Sequence, residues 1–174
     1  MPPSDTRIAL PRYSECFVCG KNNSAGLDLT FYYHNGQIET AFTPEPHHAG
    51  YQDVTHGGLL ATVLDECMGW TVILSRPILC VSVELSFRYR SKAQSNTPLL
   101  VRCQLEQDRK RMVFSKGTIE REDGTLVCEG EGKFVPLTAD EMEGVARYAQ
   151  WNGALEKVYQ QIQADLAHRQ SAPH

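Results

Sequence analysis

Between residues 57 and 74 the chain is apolar on nearly every side, and a run of that kind dictates what the remainder must do. Leu60, Val63, Leu64, Cys67, Thr71 and Leu74 recur at three- and four-residue steps, and Leu59, Met68, Trp70 and Ile73 fill the other faces. At a rise of about 1.5 Å per residue this makes a helix of about five turns. A helix apolar nearly all round belongs in a core, so the rest of the chain has to wrap it. Two features exceed packing. Gly57 and Gly58 open the helix, although each glycine there costs roughly 1 kcal/mol against alanine. Backbone is therefore wanted at that end without side chains, for close approach of a ligand or another chain segment. A helix N-terminus also offers unpaired N–H groups and the positive end of the dipole. Asp65 and Glu66 then interrupt the run at its middle, where a carboxylate is costly unless paired or used.

The 174 residues suffice for one domain with an appendage, and a net charge of −4 argues against general nucleic-acid binding. No stretch is expected to have the length and apolarity of a membrane span. The start, Met1-Pro2-Pro3-Ser4-Asp5, carries no signal-peptide pattern. Four of the six cysteines (Cys67, Cys80, Cys103, Cys128) sit inside apolar patterns and read as small buried hydrophobes. The expected compartment is the reducing cytoplasm.

Residues 1–15 have no periodicity and are expected to form an extended arm. Cys16-Phe17-Val18-Cys19-Gly20 follows. A structural zinc site wants four ligands, yet no second cysteine pair follows and only the distant His47-His48 offers nitrogen. A redox pair would open a helix, whereas Gly20-Lys21-Asn22-Asn23-Ser24 reads as a turn. The pair is read as structural packing, and neither metal nor cofactor is expected.

Leu27, Leu29, Phe31 and Tyr33 alternate with polar residues, and Asn35-Gly36 is a hairpin signal before Ile38, Thr40 and Phe42. Residues 43–55 form a loop, with Thr55 as a helix cap; of its histidines and His56, only His56 stands beside the glycines. After the helix, four strands are expected. Val81, Val83, Leu85, Phe87 and Tyr89 alternate strictly, and further strands run from Leu99, from Arg111 to Arg121, and from Thr125 to Val135. Leu126, Cys128, Gly130, Gly132 and Phe134 share one face of the last, and strand glycines mark close approach by another element, here the core helix. Thr138 to Glu141 fits a capping box for a helix ending near Trp151 at Asn152-Gly153. Leu155, Val158, Tyr159, Ile162 and Leu166 make a second, amphipathic helix.

The order predicts an α+β fold in which a curled antiparallel sheet, with the last four strands as a meander, covers one long central helix. A C-terminal helical extension occupies 137–174, and the main domain 16–136. This order resembles the hotdog-fold thioesterase superfamily, specifically its phenylacetate (PaaI) type. The residues that carry the resemblance are His56-Gly57-Gly58…Asp65-Glu66, Gly50, Met68-Gly69-Trp70 and the leader Cys16-Phe17-Val18-Cys19-Gly20…Asn23…Gly26-Leu27.

The resemblance implies hydrolysis of an acyl-CoA thioester by a homo-oligomer, a dimer or dimer of dimers. By motif position the carbonyl-polarising N–H falls on Gly57, flanked by His56 and Gly58. The carboxylate nucleophile or general base falls on Asp65. An N–H fixed at a helix N-terminus stabilises the oxygen of the transition state without reorganisation, and a carboxylate can attack a carbonyl or deprotonate water. Some relatives carry a hydroxyl one turn after the carboxylate, where this chain has Gly69, and Ser82 is the candidate replacement. Some carry an amide in the loop before the helix, where Gly50 or Gln52 stands. Glu66 points about 100° away from Asp65 and is expected to meet solvent or a partner. Arg88 and Arg90, with Lys92, and the turn Arg109-Lys110-Arg111 are candidates for the CoA phosphates. The rival readings are a hotdog protein that binds acyl-CoA without hydrolysing it and a hotdog dehydratase, whose histidine pattern is missing.

Overall fold

The computed structural model describes residues 7–149 and 153–171. Nine strands and three α-helices follow in the order β1 (Arg7–Ala9), β2 (Tyr32–His34), β3 (Gln37–Phe42), β4 (Ala49–Tyr51), β5 (Val54–Thr55), α1 (Gly57–Trp70), β6 (Cys80–Tyr89), β7 (Leu99–Asp108), β8 (Val113–Arg121), β9 (Leu126–Pro136), α2 (Ala139–Ala149) and α3 (Ala154–Ser171). The apolar run continues past α1 as one tight 3₁₀ turn, Thr71–Leu74. Together Gly57–Leu74 reach 18 residues at a mean hydropathy of 1.3, so the expectation that no stretch has the dimensions of a membrane span is corrected. Burial accounts for the apolarity: Leu60, Val63, Leu64, Cys67 and Met68 are all within the core.

Seven strands form one antiparallel sheet in the order β1-β2-β3-β7-β8-β9-β6. The hairpin β2–β3 turns on Asn35 and Gly36, with φ of 53° and 82°, the left-handed pair that a two-residue hairpin turn demands. Here the expected four-strand meander is corrected. β7, β8 and β9 are consecutive neighbours, but β6 pairs with β9, from Cys80 opposite Pro136 to Tyr89 opposite Cys128. β7 instead pairs with β3. The connection over 90–98 makes this possible, since it crosses beside the start of α1, where Gln94 bridges Val54 and Ala93 accepts the Thr55 N–H.

The glycine face of the sheet receives the helix as expected. A methyl group on Gly117 would lie 3.0 Å from Leu64 and 2.3 Å from the Cys103 sulfur, and one on Gly130 2.8 Å from Phe87. The 2.3 and 2.8 Å approaches require the neighbours to shift, and the 3.0 Å one is tight.

The first expected strand is shorter than its alternation suggested. Leu27 and Leu29 donate instead to the carbonyls of Phe17 and Val18, so the segment braces the cysteine loop. At the other end, Thr138 and Glu141 form the capping box, with the Thr138 N–H on the Glu141 carboxylate at 2.7 Å. The expected end of that helix at Trp151 and Asn152 lies outside the described residues. α3 docks on the hairpin through Asp165, which accepts from Tyr33 Oη at 2.5 Å and Arg169 Nε at 2.5 Å.

Candidate functional site

The two ends of the marked stretch open into two separate concavities. The first, of about 430 Å³, surrounds the start of α1 and is lined by Gly50, Tyr51, His56, Gly57, Tyr89 and Arg90, among others. His56, not Thr55, caps the helix: its Nδ1 accepts the Gly58 N–H at 2.9 Å. An imidazole nitrogen reaches the second N–H of the helix, while the buried Thr55 hydroxyl has no partner among the described residues. The Gly58 N–H is therefore spent on the cap. The Gly57 N–H is one of the orphan donors of a first turn and has no acceptor among the described residues. Tyr89 stands beside Gly57, and its hydroxyl donates to the Gly57 carbonyl at 2.8 Å.

The absent side chains at 57 and 58 now have local causes. A Cβ on Gly57 would stand 3.2 Å from the Tyr89 ring, and one on Gly58 would stand 2.9 Å from His56 Nδ1. Gly50 is likewise held by the His56 ring, 3.1 Å from its would-be Cβ. Gln52 is exposed at the β4–β5 turn and is not among the residues lining this concavity.

The second concavity, of about 350 Å³, lies beside the middle of α1. Asp65, Glu66, Gly69 and Trp70 line it from the helix, Cys80 and Ser82 from β6, and Tyr13 from the N-terminal segment. Burial raises the Asp65 carboxyl above the ordinary aspartate range, and the Ser82 hydroxyl beside it acts the other way by stabilising the ionised form. The hydroxyl missing at Gly69 thus has a neighbour in Ser82. Room remains at Gly69 itself, where the nearest atom to a Cβ is 3.7 Å away.

Glu66 is half-buried and meets more than solvent. It turns toward the cysteine loop, with the Cys16 sulfur 3.8 and 3.9 Å from its two oxygens. Burial, and then the negative charge of Cys16, push its carboxyl up to about 7. The 100° separation from Asp65 is real, but the N-terminal segment folds over that side of the helix.

The basic residues divide. Arg90 and Lys92 line the first concavity. Arg88 lines a third of about 500 Å³ on the sheet's other face, among Arg102, Lys116, Glu120, Glu129 and Glu131. Both Arg88 and Arg90 face Glu129, and the mixed signs make the third concavity a poor phosphate site. At the other turn, Arg109 stacks over Phe114 at 5.1 Å. Sequence reasoning missed Tyr89 and Tyr13. Tyr89 belonged to an alternating strand, Tyr13 to a segment without periodicity, and neither pattern says which cavity a ring will cover.

β6 connects the two smaller concavities, with Ser82 near one end and Tyr89 at the other. It is also an edge strand, and Val81, Val83 and Tyr89 stand 52%, 55% and 51% exposed along it.

Comparison with known proteins agrees with this arrangement. The thioesterase superfamily model matches residues 52–128. No curated protein matches the chain. A solved thioesterase superfamily protein is 24% identical, with a TM-score of 0.63 over 70% of this chain and 60% of that one, so this chain spans less than two thirds of its length. A hypothetical thioesterase of Streptococcus pneumoniae, solved with coenzyme A, is 18% identical, with a TM-score of 0.55 over 59% of this chain and 80% of that one. The E. coli PaaI protein, from the phenylacetic acid degradation operon, is 15% identical, with a TM-score of 0.59 over 64% and 81%. At these identities the likeness speaks for the fold. The chain has the hotdog fold and carries the sequence pattern of the thioesterase superfamily between residues 52 and 128, as the motif His56-Gly57-Gly58…Asp65-Glu66 led us to expect.

Proposed function

We propose that the protein hydrolyses an acyl-CoA thioester at a site built from two copies of the chain. The observation that carries this reading is the separation of Gly57 and Asp65 into different concavities along one helix. Eight residues of helix span about 12 Å, whereas hydrolysis needs the N–H and the carboxylate within a few ångströms of one carbonyl. One chain therefore supplies one half of two sites.

The exposed edge of β6 supplies the means of joining them. A long edge strand with apolar side chains is a template for pairing, and a two-fold axis through its middle sets Ser82 of one copy near Tyr89 of the other. Asp65 of one subunit then faces Gly57 of its partner. In this assembly the thioester carbonyl lies on the Gly57 N–H, where the helix dipole and the unpaired donor favour the developing oxyanion. Either Asp65 attacks the carbonyl carbon, expelling CoA as its thiolate and leaving a mixed anhydride that water hydrolyses to the free acid and Asp65, or Asp65 takes a proton from the attacking water and returns it to the sulfur as CoA leaves as its thiol. Ser82 favours the ionised form of Asp65, against the burial that disfavours it. The binding of coenzyme A by the S. pneumoniae protein of the same fold supports a CoA ester as substrate, and Arg90 and Lys92, at the rim of the Gly57 concavity, suit its phosphates.

The test is a hydrolysis screen over short, long and aromatic acyl-CoAs with subunit complementation. Asp65→Ala chains mixed with Gly57→Pro chains, the latter lacking the N–H, should regain one working site per heterodimer. If subunits exchange and the mixture stays as inactive as either parent, the shared site is wrong. Saturable acyl-CoA binding without turnover in the wild type would leave a binding protein instead.

A further inference from the structure

The loop holding Cys16 and Cys19 has a geometry that plain packing does not require. The N–H groups of Val18 and Cys19 point at the Cys16 sulfur from 3.3 and 3.5 Å. The Gly20 N–H closes the loop on the Cys16 carbonyl at 3.0 Å. A Cβ on Gly20 would come within 2.3 Å of that carbonyl oxygen, so the winding excludes any other residue there. Backbone donors converging on one sulfur stabilise a thiolate, the form of cysteine that binds metals.

α1 then adds what the sequence could not reveal. Glu66 reaches into the loop, and one ligand atom from each of Cys16, Cys19 and Glu66 lies within 4.8 Å of the other two. Tetrahedral zinc with Zn–S bonds of about 2.3 Å separates its ligand atoms by about 3.3–3.8 Å, close to the 3.8 Å between the Cys16 sulfur and the nearer Glu66 oxygen.

We infer that Cys16, Cys19 and Glu66 bind one zinc ion, which clasps the N-terminal loop to the core helix beside Asp65. Two sulfurs and one carboxylate select a borderline-soft ion such as zinc over magnesium or calcium, which take oxygen ligands. The fourth position is filled by water from the concavity that Glu66 lines. This revises the reading of the cysteine pair as packing in a metal-free protein. His47-His48 do not complete the site; a residue 47 positions beyond Cys19 does. The inference is independent of the thioesterase reading.

The experiment uses the full chain, produced with zinc supplied and purified without chelator under reducing conditions. Elemental analysis should find one zinc per chain. Replacement by cobalt should give the near-ultraviolet band of thiolate-to-metal charge transfer, which reports sulfur ligation directly. Cys16→Ser and Cys19→Ser should each lose the ion. Glu66→Gln, which keeps size and shape and serves if the serine variants do not fold, should weaken zinc binding at least about tenfold in competition with a chromophoric chelator. Any of three results overturns the inference: substoichiometric zinc with no cobalt band in the wild type, unchanged affinity in Glu66→Gln, or a chain lighter by two hydrogens whose cysteines form a disulfide instead.

Discussion

The two concavities along α1 solve opposite problems with one helix. At its start the useful group is a backbone N–H, already polar and already aimed, and the surroundings only keep it uncovered. His56 consumes the neighbouring donor, and Tyr89 holds the carbonyl of Gly57, in the peptide after the free N–H. At the middle, the useful groups are carboxylates that burial disfavours; Ser82 supports Asp65, and Glu66 is turned against the cysteine loop. The first end is organised by short-range geometry and the second by long-range contacts. Substitutions should therefore act differently at the two ends.

The largest effect belongs to the middle. Asp65→Asn preserves shape and removes the charge, and should lower kcat by about 10²–10⁴ while changing KM little. A raised KM with kcat unchanged would mean that Asp65 binds substrate and does no chemistry. Ser82→Ala should follow at about tenfold or less, since it removes one hydrogen bond to the carboxylate, worth roughly 1–2 kcal/mol. Steady-state kinetics on the best substrate of the screen decides both.

Breaking the edge should strike both ends together. Val83→Asp places a charge on the exposed middle of β6, an established device against edge pairing. The expected outcome is a folded monomer by light scattering, with activity lost in proportion to dimer. A monomer with full activity would refute the shared site.

Legibility from sequence followed the same division. The core helix, the Asn35-Gly36 turn and the glycine face of β9 rest on period and turn chemistry, local matters that a sequence states openly. The placement of β6 beside β9 was not legible, because alternation shows that a strand is half-buried and not which neighbour it pairs with. The capping residue was misread since Thr55 is the commoner cap, and only the bend at His56 shows which side chain reaches Gly58. Glu66 was placed at the surface from its angle on the helix. What covers that angle is a loop 50 residues earlier, and no periodicity relates the two.

A smaller effect is expected from stability at the glycine face. Gly117→Ala puts a methyl group 2.3 Å from the Cys103 sulfur and 3.0 Å from the Arg102 carbonyl, an overpacking that costs about 1–3 kcal/mol. Denaturant midpoints should fall, with kcat per folded molecule unchanged.

The smallest effect isolates the reason for the second glycine of the motif. His56→Ala removes the cap and should cost about 1 kcal/mol, while His56→Asn, whose side chain also caps, should cost a few tenths. Gly58→Ala has two opposed consequences. It gains up to about 1 kcal/mol of helix propensity, but its Cβ arrives 2.9 Å from His56 Nδ1 and pushes the cap aside. In the wild type these nearly cancel or leave a net loss. In the His56→Ala background the obstacle is gone, so the same substitution should stabilise by close to the full propensity term. Coupling between the two sites is therefore expected to be about 1 kcal/mol, well above the error of additivity for independent positions. Urea melts of the four proteins in this cycle measure it. If Gly58→Ala shifts stability equally with and without the imidazole, the cap is not what keeps position 58 bare, and the cause must lie in what the concavity holds.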